Sequence, residues 1–289
     1  MMYRNFKTQA ELDAQYSPIE LGLDVPGYEK FYGINSAKVR QELPCKLNVP
    51  FGPTLAEHLD IFPAAQPNAP ILVYIHGGYW FLGSSKDSSF VAKGLVSANV
   101  TVVVINYALC PKVTIDEIVR QNRSAIAWIY RNAESFGGNP NRIYVSGHSA
   151  GGHLTAMVMA TDWENDYGLP NDTIKGGCVI SGLFDLMPFP YTWLMPKIQL
   201  SWDQVLRNSP IYHIPEKAGS LIITYGAEES SEFHRQSQEF LTAWKAKGLV
   251  GEYLPQPGKN HFTAIDGFLD TNSLLCSAIL KQISLTASR

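Results

Sequence analysis

A serine between two glycines is the first feature of this sequence that could do chemistry. Ser149 stands at the centre of Gly147-His148-Ser149-Ala150-Gly151, after the apolar run Ile143–Val145 and before a small-residue run that predicts a helix. Gly-x-Ser-x-Gly alone is a weak signal, but between a strand and a helix it is typical of a strained turn that exposes a nucleophilic serine. A side chain at Gly147 or Gly151 would collide with neighbouring backbone in such a turn. The segment therefore predicts Ser149 as a nucleophile that attacks a carbonyl carbon.

A second glycine-containing segment predicts a place for the negative charge that such an attack develops. His76-Gly77-Gly78-Tyr79-Trp80 follows the apolar run 70–75, and glycines beyond a strand end let backbone N–H groups turn inward to bind an oxyanion. His76 invites a catalytic interpretation, but we favour a loop histidine whose ring pins the turn by hydrogen bonds. The expected oxyanion donors are the backbone N–H groups of Gly78, Tyr79 and Ala150, with Gly77 as a further candidate.

A serine hydroxyl is a poor nucleophile until a base takes its proton, and only a few histidines could serve. In a strand-turn-helix arrangement of this kind the chain order is serine, acid, histidine. Of the seven histidines, His261 lies in a polar loop between a strand-like run and the last helix, where the base belongs. His213 comes too early for this order, and His234 falls inside a predicted helix. We therefore predict His261 as the base.

The acid that orients the base should lie on the loop after the predicted strand 221–224. Glu228 and Glu229 both lie on that loop, and their residue types do not separate them, because either carboxylate could reach the histidine. Asp185 lies a strand too early, and Asp266 follows the histidine and falls in the predicted final helix.

The elements around these residues alternate between strands and helices. Short apolar runs rich in β-branched residues, apolar on both faces, are typical of parallel strands covered by helices, and the alternation predicts a doubly wound α/β sheet. Residues 43–62 predict an antiparallel hairpin around Phe51-Gly52-Pro53, residues 1–40 an N-terminal arm, and the aromatic-rich segment 184–209 a small lid-like insertion. We expect one domain over residues 1–289. The predicted parallel strands are 70–75, 101–105, 142–146 and 220–224, and the predicted helices are 114–133, 150–160 and 231–247.

Composition excludes several classes of function. With a net charge of −3, the chain has no electrostatic reason to bind nucleic acid or an anionic membrane. Its four cysteines form no metal-binding pattern and are expected as buried free thiols, so we predict neither a metal nor another cofactor. The charged segment Met1–Ser17 is unlike a signal peptide, and no run is long enough to span a bilayer, so a soluble, cytoplasmic protein is expected.

His-Gly-Gly-x-Trp at 76–80 together with Gly-His-Ser-Ala-Gly-Gly-His at 147–153 resembles the kynurenine formamidase (arylformamidase) branch of the α/β-hydrolase superfamily. The similarity runs from Ile71 to Ile265 and includes the segments 106–114, 182–186, 207–210 and 231–237. It implies the α/β-hydrolase fold. In these relatives the acid is typically an aspartate just ahead of a Ser-x-Glu-Phe stretch. Glu229 holds that place here, which favours it over Glu228 and departs from the aspartate.

The resemblance also implies a substrate, and two other functions remain open beside it. An arylformamidase would release formate and an aromatic amine from N-formylkynurenine, so the aryl group needs a roomy apolar pocket. Other hydrolases with these motifs are carboxylesterases acting on small or aromatic esters, and a catalytically inactive ligand receptor is a third alternative. The oligomeric state is open, a homo-oligomer included. The aromatic side chains expected at the pocket are Trp80, Phe81, Phe184, Phe189, Tyr191 and Trp193.

Overall fold

The computed structural model describes residues 2–286; Met1 and residues 287–289, at the two ends of the predicted domain, lie outside this range. Eight strands form one sheet in the order β1-β2-β4-β3-β5-β6-β7-β8. The strands are Lys46–Pro50 (β1), His58–Phe62 (β2), Ala69–Ile75 (β3), Thr101–Ile105 (β4), Gly138–His148 (β5), Ile174–Ile180 (β6), Ser220–Gly226 (β7) and Gly251–Gln256 (β8).

The sheet is mixed at one edge and parallel everywhere else. Strands β1 and β2 form the predicted antiparallel hairpin, with Lys46 opposite Ile61, and β2 pairs antiparallel with β4. From β4 through β3 to β8 every pair of neighbours is parallel. The mostly parallel sheet with an N-terminal antiparallel hairpin is therefore confirmed. The carboxyl ends of these six adjacent parallel strands meet at one edge, which is where α/β folds place their sites.

Within residues 2–286, ten α-helices precede, connect or follow the strands and cover both faces of the sheet. They are Gln9–Tyr16 (α1), Val25–Glu42 (α2), Ala92–Val96 (α3), Ile115–Asn132 (α4), Ala150–Met159 (α5), Trp163–Tyr167 (α6), Met195–Ile198 (α7), Trp202–Arg207 (α8), Ser231–Ala246 (α9) and Leu274–Thr286 (α10). Among the described residues there are also short 3-10 helices, of which Ser85–Val91 packs against α2. No helix within residues 2–286 is long and apolar enough to cross a membrane.

The parallel strands are apolar on both faces because each face is buried in its own cluster. Along β3, Ile71, Val73 and Ile75 enter one cluster, whereas Leu72 and Tyr74 enter the other. Successive strand residues point to opposite faces, so a strand between two helical layers needs a continuous apolar run rather than an alternating one. The four cysteines are free: Cys45 is partly exposed, and Cys110, Cys178 and Cys276 are buried.

The N-terminal arm consists of two helices and extends to Glu42. Thr8 and Asp24 begin the helices by accepting hydrogen bonds from the backbone N–H groups of Glu11 and Gly27. Helix α1 is anchored by buried Leu12 and Tyr16, which belong to the main apolar cluster. The segment 184–209, predicted as an insertion, lies between β6 and β7 and holds a 3-10 turn at Phe189–Tyr191 followed by α7 and α8.

Helix α5 lies unusually close to the end of β3, and two glycines make that approach possible. A Cβ atom added at Gly151 would lie 2.0 Å from the carbonyl oxygen of Ile75, and one added at Gly147 would lie 2.3 Å from the carbonyl oxygen of Gly151. Neither backbone oxygen can move without disturbing the sheet or the helix. The prediction that a side chain at Gly147 or Gly151 would collide with backbone is therefore confirmed.

This close approach predicts that Gly151→Ala is strongly destabilising. Overpacking costs typically reach about 3 kcal/mol, and the free energy of unfolding in urea should fall by about that amount. The matched control is Gly33→Ala inside α2, where an added Cβ meets no atom within 4 Å. That change should raise the free energy of unfolding by about 0.5–1 kcal/mol, because alanine is the better helix former. Equal midpoints for Gly151→Ala and the unaltered protein would contradict the packing argument.

Candidate active site

Ser149 occupies a strained backbone conformation between β5 and α5. Its φ of 57° and ψ of −120° lie in a region that non-glycine residues rarely adopt, at a cost of about 1–3 kcal/mol. Its N–H donates to the carbonyl of Ile180 at 2.9 Å, and its own carbonyl accepts from His153 at 3.0 Å. The side chain lines a cavity at the carboxyl edge of the sheet. The turn holds the hydroxyl in place before any ligand arrives.

Three side chains from separate loops form a continuous hydrogen-bonded chain at this edge. Nε2 of His261 lies 3.1 Å from Oγ of Ser149, and Nδ1 of His261 lies 2.7 Å from Oε2 of Glu229. A carboxylate accepts hydrogen bonds, so Nδ1 carries the proton and Nε2 presents a lone pair to the serine hydroxyl. Ser149 donates to His261, which donates to Glu229. This arrangement can withdraw a proton from the serine hydroxyl.

The carboxylate of Glu229 is buried completely and is held by hydrogen bonds on both oxygens. Oε1 accepts from Oγ of Ser181 at 2.5 Å and from the N–H of Gly226 at 2.7 Å, which leaves Oε2 for His261. Glu228 points outward and is exposed. The structure thus brings Glu229, and not Glu228, to the histidine. Ser181 had no role in the sequence prediction.

The other carboxylates and histidines considered for these roles lie elsewhere. Asp185 accepts a hydrogen bond from the hydroxyl of Tyr3, and Asp266 sits in a 3-10 helix, Thr263–Leu269, rather than in the final helix. His234 packs on Tyr225 from helix α9, and the exposed ring of His213 contacts the carbonyl of Leu206.

The loop after β3 is also strained and passes beside the serine. Gly78, Tyr79 and Trp80 have φ values of 109°, 49° and 63° in succession. Among residues 2–286, the N–H groups of Gly78, Tyr79 and Ala150 donate to no protein acceptor. A Cβ at Gly77 would lie 3.3 Å from Cβ of Ser149, so this loop passes close beside the predicted nucleophile. Free donors at this point fit the predicted oxyanion role.

His76 pins this loop, as the sequence predicted. Its Nδ1 donates to the carbonyl of Gly77 at 2.7 Å, its ring stacks on Tyr107 at 4.1 Å, and its carbonyl accepts from the Tyr107 hydroxyl. Burial lowers the pKa of His76 to about 4, so the ring is neutral near pH 7.

Two further buried histidines orient the site, and sequence reasoning assigned neither. Nε2 of His148 donates to the carbonyl of His261 at 2.7 Å. Burial, and then repulsion from His261, hold the pKa of His148 well below its usual range. His153 donates through Nε2 to Asn208 at 2.6 Å, and burial lowers its pKa to about 4. Both occur in the quoted motif, but only their contacts give them roles.

Trp80 was predicted in the pocket and lies in the core instead. Its indole N–H donates to Nδ1 of His153 at 3.0 Å, and its ring packs edge-on against Phe189. Its side chain is fully buried, so it cannot contact a substrate. The left-handed backbone at Trp80 turns the indole beneath the loop, where it ties the loop to helix α5.

A cavity of about 620 Å³ opens above Ser149 and His261. Trp193 and Phe81 line it, as expected. Phe184 stacks on Phe240 at 4.3 Å and is buried, and Tyr191 packs on Trp202; within the described chain neither lines the cavity. Phe189 is also buried, against Tyr16 and Tyr79.

The N-terminal arm forms a wall of this cavity that the sequence did not reveal. Ser17, Pro18 and Ile19 contribute from the segment after α1, and α2 contributes three residues at helical spacing. Spacing of this kind places side chains on one face of a helix. The spacing of these residues could have predicted a shared face only if residues 25–42 had first been predicted as a helix. The lining residues from α2 are Val25, Glu29 and Tyr32.

Comparisons with known proteins agree with this geometry. The BD-FAE family model matches residues 59–244. The kynurenine formamidase of Danio rerio is 31% identical over 94% of this chain and 96% of its own length. Esterase LipC of Mycobacterium tuberculosis is 27% identical over 89% of this chain and 70% of its own length.

A solved structure from Silicibacter sp. tm1040, provisionally described as a thioesterase, has a TM-score of 0.81 at 27% identity. The match covers 93% of this chain and 99% of the Silicibacter chain. The sheet, the His-Gly-Gly-x-Trp loop and the relatives lead to one assignment. The chain belongs to the kynurenine formamidase-like branch of the α/β-hydrolase superfamily.

Proposed function

We propose that this protein is a serine hydrolase of the arylformamidase type. The observation that carries the proposal is the unbroken hydrogen-bonded chain from Ser149 through His261 to Glu229 at the floor of a cavity. Acyl transfer through a serine needs these three residue types in this order. The free N–H groups beside Ser149 supply what the tetrahedral intermediate requires.

The chemistry starts with attack by Ser149 on the substrate carbonyl carbon. His261 takes the hydroxyl proton through Nε2, while Glu229 holds the ring and stabilises the imidazolium. The new oxyanion accepts hydrogen bonds from the N–H groups of Gly78, Tyr79 and Ala150, aided by the N-terminal end of α5. His261 then protonates the leaving amine or alcohol. Water attacks the acyl-enzyme by the same route and releases the acid.

Similarity to the kynurenine formamidases supports N-formylkynurenine as the substrate of this protein. Its formyl group needs almost no space, whereas its leaving group is a large aromatic amine. The cavity volume suits such an asymmetric substrate, and Phe81, Trp193 and Phe262 supply ring surfaces on which an aryl group can pack.

A carboxylesterase activity is the second candidate, and the charge of the cavity favours it. Glu29 and Asp87 line the cavity, and among the described lining residues there is neither lysine nor arginine. N-formylkynurenine carries both an ammonium and a carboxylate group, so its carboxylate would find no cationic partner there. A neutral aryl or alkyl ester has no such requirement, and esterase LipC is among the relatives.

One preparation assayed on two substrates separates these activities. An arylformamidase should release formate from N-formylkynurenine with a higher kcat/KM than it shows for acetate release from p-nitrophenyl acetate. Ester hydrolysis without formate release would reject the formamidase proposal and support the esterase. The control is Ser149→Ala, which should lose both activities and labelling by a fluorophosphonate. An unaltered protein that resists this label would support a ligand receptor instead.

Glu229 and its neighbour give a matched test of the acid. Glu229→Gln keeps the shape of the side chain but replaces one of the two accepting oxygens by an NH2 group. The side chain can then no longer accept on both sides, and the tautomer of His261 is no longer fixed. We expect kcat to fall by about 10⁴, as loss of the orienting acid does in other serine triads. Glu228→Gln removes a charge one residue away on the exposed surface and should leave kcat within about twofold. A comparable loss in both variants would argue for a general charge effect and against this acid.

A further inference from the structure

Helix α2 of the N-terminal arm holds the loop that carries His261 on both sides of the histidine. The hydroxyl of Tyr32 donates to the carbonyl of Phe262 at 2.8 Å. The side-chain amide of Asn260 donates to the hydroxyl of Tyr28 at 2.8 Å. The rings of Tyr28 and Phe262 are stacked, with centroids 4.6 Å apart and an interplanar angle of 6°. The residues just before and just after His261 are thus fixed by one helix face.

The histidine itself is held from the opposite side by the hydrolase body. His148 donates to its carbonyl at 2.7 Å, and the ring of Phe233 packs against the imidazole with centroids 4.5 Å apart. These contacts hold the loop from the side opposite α2. The distance from Nε2 to the serine hydroxyl therefore depends on contacts from both sides.

The arm makes similar contacts beside the other two parts of the site. The carbonyl of Tyr16 accepts from the hydroxyl of Tyr79, in the loop that carries the oxyanion donors, at 2.5 Å. The carbonyl of Gln15 accepts from the hydroxyl of Ser230, the residue after Glu229, at 2.6 Å. Residues 15–32 thus contact the residues next to His261 and Glu229 and the loop that carries the proposed oxyanion donors Gly78 and Tyr79.

We propose that Tyr32 and Tyr28 are positioning residues, through which the N-terminal arm sets the place of the His261 imidazole relative to Ser149. The inference rests on the proposed triad. Proton transfer requires hydrogen-bond distance, and a misplacement of 1 Å can cost on the order of 100-fold in rate. Tyr32 acts through the backbone of Phe262, and Tyr28 acts through the side chain of Asn260.

Removing the Tyr32 hydroxyl tests the proposal without removing the ring. In Tyr32→Phe the ring keeps its stacking on Phe90, where the centroids lie 4.9 Å apart, so the fold is expected to persist. We expect kcat on p-nitrophenyl acetate to fall at least 10-fold, with KM within twofold. Tyr28→Phe, at a residue that does not line the cavity, should lower kcat about threefold. A wild-type kcat in Tyr32→Phe, or a change in KM alone, would overturn the proposal.

A matched control separates positioning from loss of a buried hydroxyl. Tyr144→Phe also removes a tyrosine hydroxyl that donates to a backbone carbonyl, that of Ile283, but far along β5 from the site. It should leave kcat unchanged, and an equal loss there would overturn the proposal. Urea unfolding of each variant shows whether stability differs.

The double variant Tyr32→Phe/His261→Ala distinguishes this inference from the proposed function. If Tyr32 acts through His261, its change adds nothing to the residual rate of His261→Ala, whereas an independent effect would multiply with it. A multiplied loss would therefore overturn the positioning role. A wild-type rate in His261→Ala alone would instead reject the proposed triad.

Discussion

A carboxylate removed completely from water must find donors nearby, because an unpaired buried charge costs several kcal/mol. Glu229 meets this demand with Ser181, Gly226 and His261, which follow or end β6, β7 and β8 respectively. Three neighbouring strands must therefore end in register. The pairing of β6 with β7 and of β7 with β8 provides that register. The parallel sheet is the condition under which this carboxylate can be buried.

Three strained backbone conformations lie at this same edge of the sheet, in the loops that carry the proposed site. Ser149 follows β5, Ser181 follows β6, and Tyr79 lies in the loop after β3; all three have φ near +50°. Contacts from the next strand hold two of these conformations, since the N–H of Ser149 donates to Ile180 and the N–H of Ser181 donates to Thr224. The side chain of Tyr79 is tied instead to the arm, through its hydroxyl bond to the carbonyl of Tyr16. Strain of this kind persists only where the surroundings over-determine the backbone. The strained residues therefore place Ser149, Ser181, which binds the proposed acid Glu229, and the loop after β3 at the same edge of the sheet.

The sequence revealed the elements whose patterns are local and strong. Continuous apolar runs identified β3, β4, β5 and β7, because strands buried on both faces have no alternative composition. Strand β6 contains Gly176 and Gly177 and escaped this criterion; the side chain of Met159 from α5 fills the space beside Gly177, where a Cβ would lie 2.2 Å from its sulfur. Helix α2 escaped because its stability comes from packing on the 3-10 helix Ser85–Val91, not from a strong apolar face.

The directions in which side chains point could not be predicted from the sequence. Trp80 and Trp193 are both aromatic residues close to predicted loops, yet one lies under the oxyanion loop and the other lines the cavity. The difference is set by the left-handed backbone at Trp80 and by its hydrogen bond to His153, which join segments over 70 residues apart. Ser181 could not be found either, since its role exists only once β6 lies beside β7. The motifs point to Ser149, His261 and Glu229, which the fold brings together, whereas the residues that support them are defined only by tertiary contacts.

The division between body and arm has a consequence for the substrate. The sheet and its loops carry the proposed nucleophile, base, acid and oxyanion donors, and these need not change between an amide and an ester. The outer wall of the cavity comes from the arm. Val25, Glu29 and Tyr32 line the cavity from one face of α2. Tyr32 also donates a hydrogen bond to the loop that carries His261. One residue of α2 therefore belongs both to the cavity wall and to the contacts that support the proposed base.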